Sequence, residues 1–137
     1  NMLKSSNEDH FIVFNPDTIW NLDYLNTINQ MEDFYFKNKI ENILLVVKKN
    51  LSFDKNFKGD FNLSKNILTK NSINQYIYTG CQIISKKSFN RIESKNFSIV
   101  EIWNSLIEQE KLFGFEIQKK FLHITNLEVY NNLLKKN

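Results

Sequence analysis

Phe11-Ile12-Val13-Phe14-Asn15-Pro16-Asp17 and, further along, Ile43-Leu44-Leu45-Val46-Val47 decide how this chain of 137 residues is read. Both apolar runs are short and free of polar alternation, the pattern of strands buried on both faces between helices. Between them Asn21 is placed to cap a helix, with Tyr24, Leu25, Ile28 and Met31 at helical spacing on one face. Strand, helix and strand over this distance is the βαβ crossover that parallel pairing requires. A mixed, mostly parallel α/β sheet with flanking helices is therefore expected. Pro16 cannot donate to a ladder, so the first strand should stop there. Ligands of open α/β sheets bind beyond the carboxyl ends of parallel strands, which makes Asn15-Pro16-Asp17 the first place to look for chemistry. A carboxylate at that point suits a hard cation such as magnesium, and it equally suits the capping of a turn.

The middle of the chain reads differently. Asp60–Ser64 and Asn66–Thr69 form a hairpin pattern, and a strand follows through Tyr76-Ile77-Tyr78-Thr79 until Gly80 interrupts it. A glycine in a strand pattern marks a bulge or a close approach of backbone. Ser98 with Glu101 three residues on is a capping box, and Ile99, Ile102, Trp103, Leu106 and Ile107 keep helical spacing behind it. A strand near Lys111–Gln118, a short one at Phe121–Ile124 and a helix from Asn126 complete the pattern. Leu127, Tyr130 and Leu134 are expected as that helix's buried stripe.

Composition narrows the function classes. Asparagine (21), lysine (17), isoleucine (16) and phenylalanine (12) make up nearly half of the chain; alanine is absent and Arg91 is the lone arginine. No fold demands such choices, so they read as the imprint of a genome poor in G and C. Lysine richness then says little about ligands, and a net charge of +3 gives no reason to expect a nucleic-acid or membrane partner. The lysine pairs 48–49, 86–87, 119–120 and 135–136 read as solvated ends of elements. Cys81 is the single cysteine, which excludes an internal disulfide or a cysteine-built zinc site and suits a reducing, cytoplasmic compartment. It reads as a small buried hydrophobe rather than a nucleophile. No apolar run approaches the roughly 20 residues that a membrane helix needs. Of the two histidines, His10 reads as a surface residue, whereas His123 sits in a strand-like segment that could turn it toward the sheet's ligand edge.

Taken in order, these motifs resemble those of the sugar-1-phosphate nucleotidyltransferases. Phe11 to Trp20 resembles that family's strand and Asn-Gly-Asp turn. Gly59-Asp60-Phe61 is similar to its Gly-Asp-Phe hairpin, and Tyr78-Thr79-Gly80-Cys81-Gln82-Ile83 to its Tyr-Thr-Gly-Ile-Gln stretch. Phe97-Ser98-Ile99-Val100-Glu101-Ile102-Trp103 resembles its Phe-Ser-Leu-Asn-Pro-Leu-Trp helix. Phe121-Leu122-His123-Ile124-Thr125-Asn126-Leu127-Glu128 resembles the closing Trp-x-Asp/His-Val-Gly-Thr-Pro-Glu segment. The likeness is greatest to the bacterial branch holding N-acetylmuramate-1-phosphate uridylyltransferases and mannose-1-phosphate guanylyltransferase-like proteins.

The resemblance implies a Rossmann-like nucleotide-diphospho-sugar transferase fold and a role in making nucleotide-sugars for the cell envelope. A sugar-1-phosphate would attack the α-phosphorus of a nucleoside triphosphate, UTP or GTP, and release pyrophosphate with the help of Mg2+. Carried over by position, Asp17 would be the catalytic magnesium ligand and Asn15 would fix its turn. Tyr78, Thr79 and Gly80 would line the sugar. His123 stands where many relatives have a second metal-binding aspartate. Magnesium prefers oxygen and imidazole suits softer metals, so a hydrogen bond from His123 to a phosphate or a metal-bound water is the other role open to it. Pro16 replaces the family's glycine, and Thr125-Asn126-Leu127 replaces Gly-Thr-Pro.

One family feature has no counterpart here, the glycine-rich loop that grips the triphosphate. Residues 1–137 are accordingly expected to be the C-terminal, sugar-phosphate side of a single nucleotidyltransferase domain, lacking the N-terminal nucleotide-binding half and inactive alone. The opening on Asn1 rather than Met agrees with that expectation. The rival reading is a non-catalytic α/β module that binds a ligand or a protein. The two differ in one prediction: an enzyme part needs Asp17, Gly80 and His123 to converge on one pocket at the sheet's carboxyl edge, whereas a module leaves them scattered or has a pocket without clustered polar groups.

Overall fold

The computed structural model describes residues 6–91 and 98–135, so Phe97 lies outside the described residues. Six strands form one sheet: β1 (His10–Phe14), β2 (Asn42–Lys48), β3 (Asn62–Ser64), β4 (Ile67–Thr69), β5 (Tyr76–Ser85) and β6 (Phe113–Ile117). Their order is β1-β5-β2-β6-β4-β3. Three α-helices accompany them: α1 (Leu25–Lys37), α2 (Ile99–Glu108) and α3 (Leu127–Leu134).

The mixed α/β sheet expected from the sequence is present, but it is mostly antiparallel rather than mostly parallel. Only β2 and β6 pair in parallel; β1 and β2 both pair with β5, each antiparallel to it. The two apolar runs therefore point the same way with β5 inserted between them. The βαβ connection is real in direction, and a strand that comes later in sequence has filled the gap. Local pattern reports that a strand is apolar, not which neighbour will complete its hydrogen bonds.

β2 is the centre of the molecule. Ile43, Leu45 and Val47 face one layer, where α1 packs through Met31 and Tyr35. Leu44 and Val46 face the other, where Ile102, Trp103 and Leu106 of α2 close the core. Ser98 caps α2 as expected: its side chain accepts from the Val100 N–H, and Glu101 returns the bond to the Ser98 N–H at 3.1 Å. Asn21 caps a 3₁₀ turn (Leu22–Tyr24) that leads into α1, rather than α1 itself. The β3–β4 hairpin turns at Lys65 and Asn66, both at positive φ, as a two-residue hairpin loop requires.

Two other expectations are corrected. Residues 121–124 form isolated bridges, Ser52 with Phe121 and Thr18 with His123, instead of a strand. The stripe of α3 is also misassigned, since Leu127, Tyr130 and Leu134 are exposed and Val129 is the buried residue. A helix of eight residues at the periphery buries little, and a spaced apolar pattern cannot say which side meets the body.

Candidate functional site

The site is built where β1 leaves the sheet. Phe14 is its last paired residue, opposite Cys81. The Asn15 N–H then donates to the Gly80 carbonyl at 2.8 Å, and Pro16 ends the run. Here β5 carries two more residues than β2 between the Leu44–Gln82 and Val46–Tyr78 pairs, so the strand bulges around Gly80 without ending. Gly80 has φ +90°, which side chains rarely adopt, and a Cβ there would lie 2.8 Å from that of Asn15. The bulge or close approach expected at Gly80 is present in both forms, and it lets the β1 exit close onto the strand.

The turn is pinned from both sides. The Thr18 hydroxyl donates to the Thr79 carbonyl at 2.7 Å, and the Thr79 hydroxyl donates to the Leu45 carbonyl at 2.9 Å. Both threonines are buried. The Ile19 N–H donates to the Leu122 carbonyl and the Ile124 N–H to the Asp17 carbonyl, which draws the 121–124 segment alongside. The Trp20 indole N–H completes the loop by donating to the Asn15 carbonyl.

This arrangement brings Asp17 and His123 together. His123 Nε2 lies 3.1 Å from Asp17 Oδ2, with the imidazole mostly covered and the carboxylate 46% exposed. Phe121 stacks on the ring at 5.6 Å and Phe57 meets it edge-on at 5.4 Å, so its orientation is fixed by packing. Nδ1 is buried without a partner, which favours the tautomer carrying its proton on Nε2, facing Asp17. Asn15, Asp17, Thr79, Gly80 and His123 are thus brought close together beside the bulge of β5.

Tyr78 belongs to the same stretch of β5, with its ring 5.0 Å from that of Trp103. Its hydroxyl is buried without a hydrogen-bond partner, an unusual state for a phenol. Burial, with Cys81 and Asp17 nearby, raises its pKa well above the usual value for tyrosine. The group is therefore a neutral donor in want of an acceptor.

Asp60 is the residue that the sequence reading did not assign to the site. Where β1 has left, its Oδ2 accepts from the Tyr78 N–H at 2.9 Å, completing an otherwise unpaired strand edge. Burial raises its pKa despite that bond and the nearby positive charge of Lys70 and His123. The available signal was an aspartate directly before a strand and after glycine, which looked like ordinary hairpin grammar. Cys81 and His10 behave as expected: the thiol is buried and pushed up to about 12, and exposed His10 hydrogen-bonds the Tyr35 hydroxyl through Nδ1.

Among the described residues no three His, Cys, Asp or Glu side chains are grouped to hold a metal. Magnesium is commonly held by one or two carboxylates with substrate phosphates and water supplying the rest, so Asp17 fits that ion and the imidazole of His123 does not. A cavity of about 490 Å³ lies between Phe53–Asn56 and α3, and none of the expected site residues lines it. Among the described residues, no helix is long and apolar enough to cross a membrane.

No protein-family model matches this chain, and no curated protein matches it. Solved structures do. A Bacillus anthracis protein assigned as a glucose-1-phosphate thymidylyltransferase, in complex with a sucrose, is similar at TM-score 0.68 and 15% identity, over 95% of this chain and 55% of that one. The inositol-1-phosphate CTP transferase of T. maritima is similar at TM-score 0.65 and 17% identity, over 96% and 58%. HddC of Yersinia pseudotuberculosis complexed with GMP-PN is similar at TM-score 0.64 and 22% identity, over 97% and 57%. The chain has the fold that these proteins share, two of them nucleotidyltransferases by name, and spans little more than half their length.

Proposed function

We propose that residues 1–137 form the C-terminal, sugar-phosphate side of a sugar-1-phosphate nucleotidyltransferase domain. The carrying observation is the meeting of Asp17, Gly80 and His123 at the carboxyl end of β1, where an open α/β sheet binds its ligand. A non-catalytic binding module has no need to gather them. The reaction is attack by a sugar-1-phosphate oxygen on the α-phosphorus of a nucleoside triphosphate: one P–O bond forms, the bond to the β-phosphate bridge breaks, and pyrophosphate leaves.

Each residue has a task within that chemistry. Asp17 is the residue that would hold magnesium, which when bound neutralises phosphate charge. His123, with Nε2 3.1 Å from Asp17 Oδ2, holds the carboxylate in orientation, a support of the kind that orients metal ligands. Asn15 and Thr18 fix the loop that carries Asp17. Thr79 and Gly80, buried and with their carbonyls taken by Thr18 and Asn15, shape the wall beside the sugar, and the unpartnered Tyr78 hydroxyl donates to a sugar or phosphate oxygen. The motif likeness favours the N-acetylmuramate-1-phosphate uridylyltransferase and mannose-1-phosphate guanylyltransferase-like branch, with UTP or GTP as the second substrate and no nucleic-acid or membrane partner.

The test is thermal unfolding of the chain with sugar-1-phosphates and nucleotide-sugars, with and without magnesium. A ligand at 100 times its Kd stabilises the folded state by about 2.7 kcal/mol. The expected result is a rise in Tm that needs magnesium and disappears in Asp17→Asn. No response to any member of the panel, or a response that Asp17→Asn leaves intact, sinks the reading.

A further inference from the structure

We propose that the pocket between the loops that follow β2 and β6 is an anion site that takes a phosphate group, free or carried by a small molecule. It goes beyond the function proposed above, and neither Asp17 nor His123 lines it.

The pocket forms where two of the lysine pairs in the sequence come together. β2 ends at Lys48 and β6 at Ile117, and the two strands pair in parallel. The pairs 48–49 and 119–120 therefore emerge at the same carboxyl edge, where open α/β sheets leave a crevice for ligands. Pairing continues past the strands: the Phe121 N–H donates to the Leu51 carbonyl at 3.0 Å, and the Phe53 N–H to the Phe121 carbonyl at 2.9 Å. The Tyr24 hydroxyl donates to the Lys120 carbonyl at 2.9 Å and holds that backbone from behind. Between these fixed walls lies a space of about 240 Å³ whose lining includes Leu51, Ser52, Lys55, Lys120 and Leu122. Sites for drug-sized ligands run to roughly 300–1,000 Å³, so this one suits a small group rather than a whole nucleotide.

Three features give the pocket its chemistry. The first is unbalanced charge. Two lysines line it and no carboxylate does. Lys48 is paired with Glu116 at 3.3 Å, but neither Lys55 nor Lys120 meets a carboxylate among the described residues. Asp54, next to Lys55, is engaged elsewhere: it accepts from the Asn56 N–H at 2.9 Å and the Thr125 hydroxyl at 3.2 Å. The second feature is a fixed ammonium. Lys55 Nζ donates to the Asn50 carbonyl at 3.1 Å and the Ser52 carbonyl at 2.8 Å. An ammonium has three N–H donors, so one remains, held in place by the pocket's own wall. The third is Ser52, which is 2% exposed and whose hydroxyl has no hydrogen-bond partner. Buried hydroxyls normally have one, and a ligand oxygen in this pocket supplies it. Lysines act as point charges without the planar fork of arginine, which suits a tetrahedral phosphate better than a planar carboxylate.

The test is an amide NMR titration of the isotope-labelled chain with inorganic phosphate, at constant ionic strength and with EDTA to exclude magnesium. The expected result is a saturable shift at Leu51–Lys55 and Lys120–Leu122 that chloride does not produce. Lys120→Gln, at an exposed position, should weaken binding at least about 10-fold, and Ser52→Ala at least about 2-fold. Lys37→Gln, an equal loss of charge on α1, and Asp17→Asn should each leave it within about 2-fold. Glycerol 3-phosphate identifies the source. Binding at least as tight as that of inorganic phosphate assigns the site to a phosphorylated small molecule, and weaker binding assigns it to the free ion; either supports the site. No saturable shift at these two segments, acetate binding as tightly as phosphate, or an equal loss in Lys120→Gln and Lys37→Gln would each overturn the proposal. Because magnesium is excluded, failure here leaves the magnesium-dependent rise in Tm untouched, and loss of that rise leaves this titration untouched.

Discussion

β1 and β2 are written in nearly the same alphabet, Phe-Ile-Val-Phe against Ile-Leu-Leu-Val-Val, and the molecule treats them in opposite ways. β2 has β5 on one side and β6 on the other, α1 on one face and α2 on the other, and Ile43 to Val47 are fully buried. β1 has β5 on one side and nothing on the other among the described residues. The difference teaches that burial is a property of place: a strand's apolar content states what it can satisfy, and its neighbours decide whether it is satisfied.

The contrast can be broken by truncating one residue in each strand. Leu45→Ala removes a fully enclosed side chain and should cost about 2–5 kcal/mol in denaturant unfolding, whereas Val13→Ala should cost under about 1 kcal/mol in the isolated chain. Equal costs would mean that β1 is covered after all. The junction between the regions is probed by Gly80→Ala. A side chain at φ +90°, crowding Asn15, should cost about 2–4 kcal/mol and loosen the loop that holds Asp17. A fully stable Gly80→Ala would show that the bulge tolerates a Cβ and that the β1 exit is not closed onto it.

The smallest effect sharpens the comparison at the upper half of β5, where Asp60 replaces a departed strand. Burial raises its folded-state pKa, so the ionised carboxylate is less favoured in the folded chain than in the unfolded one. The penalty is present above the raised value and is relieved as pH falls through it toward the ordinary carboxylate value of about 4. Asp60→Asn keeps an acceptor for the Tyr78 N–H and should match or exceed the native chain in stability at neutral pH. Its advantage should shrink on acidification. An advantage that grew toward acid pH would reverse the sign and the argument.

How much of this was legible beforehand varies by element. The β2 run, the capping box at Ser98 and the hairpin around Lys65-Asn66 are local statements, made by residues close in sequence, and they survived folding. The Asp17–His123 pairing joins residues more than a hundred positions apart, and it was reachable only because the motifs resembled a family in order. Asp60 was missed because its role exists only once β1 has departed from β5, and no local pattern records a departure. The α3 stripe failed for a related cause: a short peripheral helix touches the body through Val129, which its own spacing does not single out.

By itself, then, the amino-acid order determined most of the strands and helices and that the core is apolar and layered. These follow from side-chain period, capping and backbone restriction, which act over a few residues. Only the tertiary structure decided that β5 divides β1 from β2, that the sheet is mostly antiparallel, that Gly80 bulges to meet Asn15, and that one edge of the sheet lies open. Hydrogen-bond partners across a sheet are chosen by competition among all strands at once, and that choice is settled by the packing of the whole.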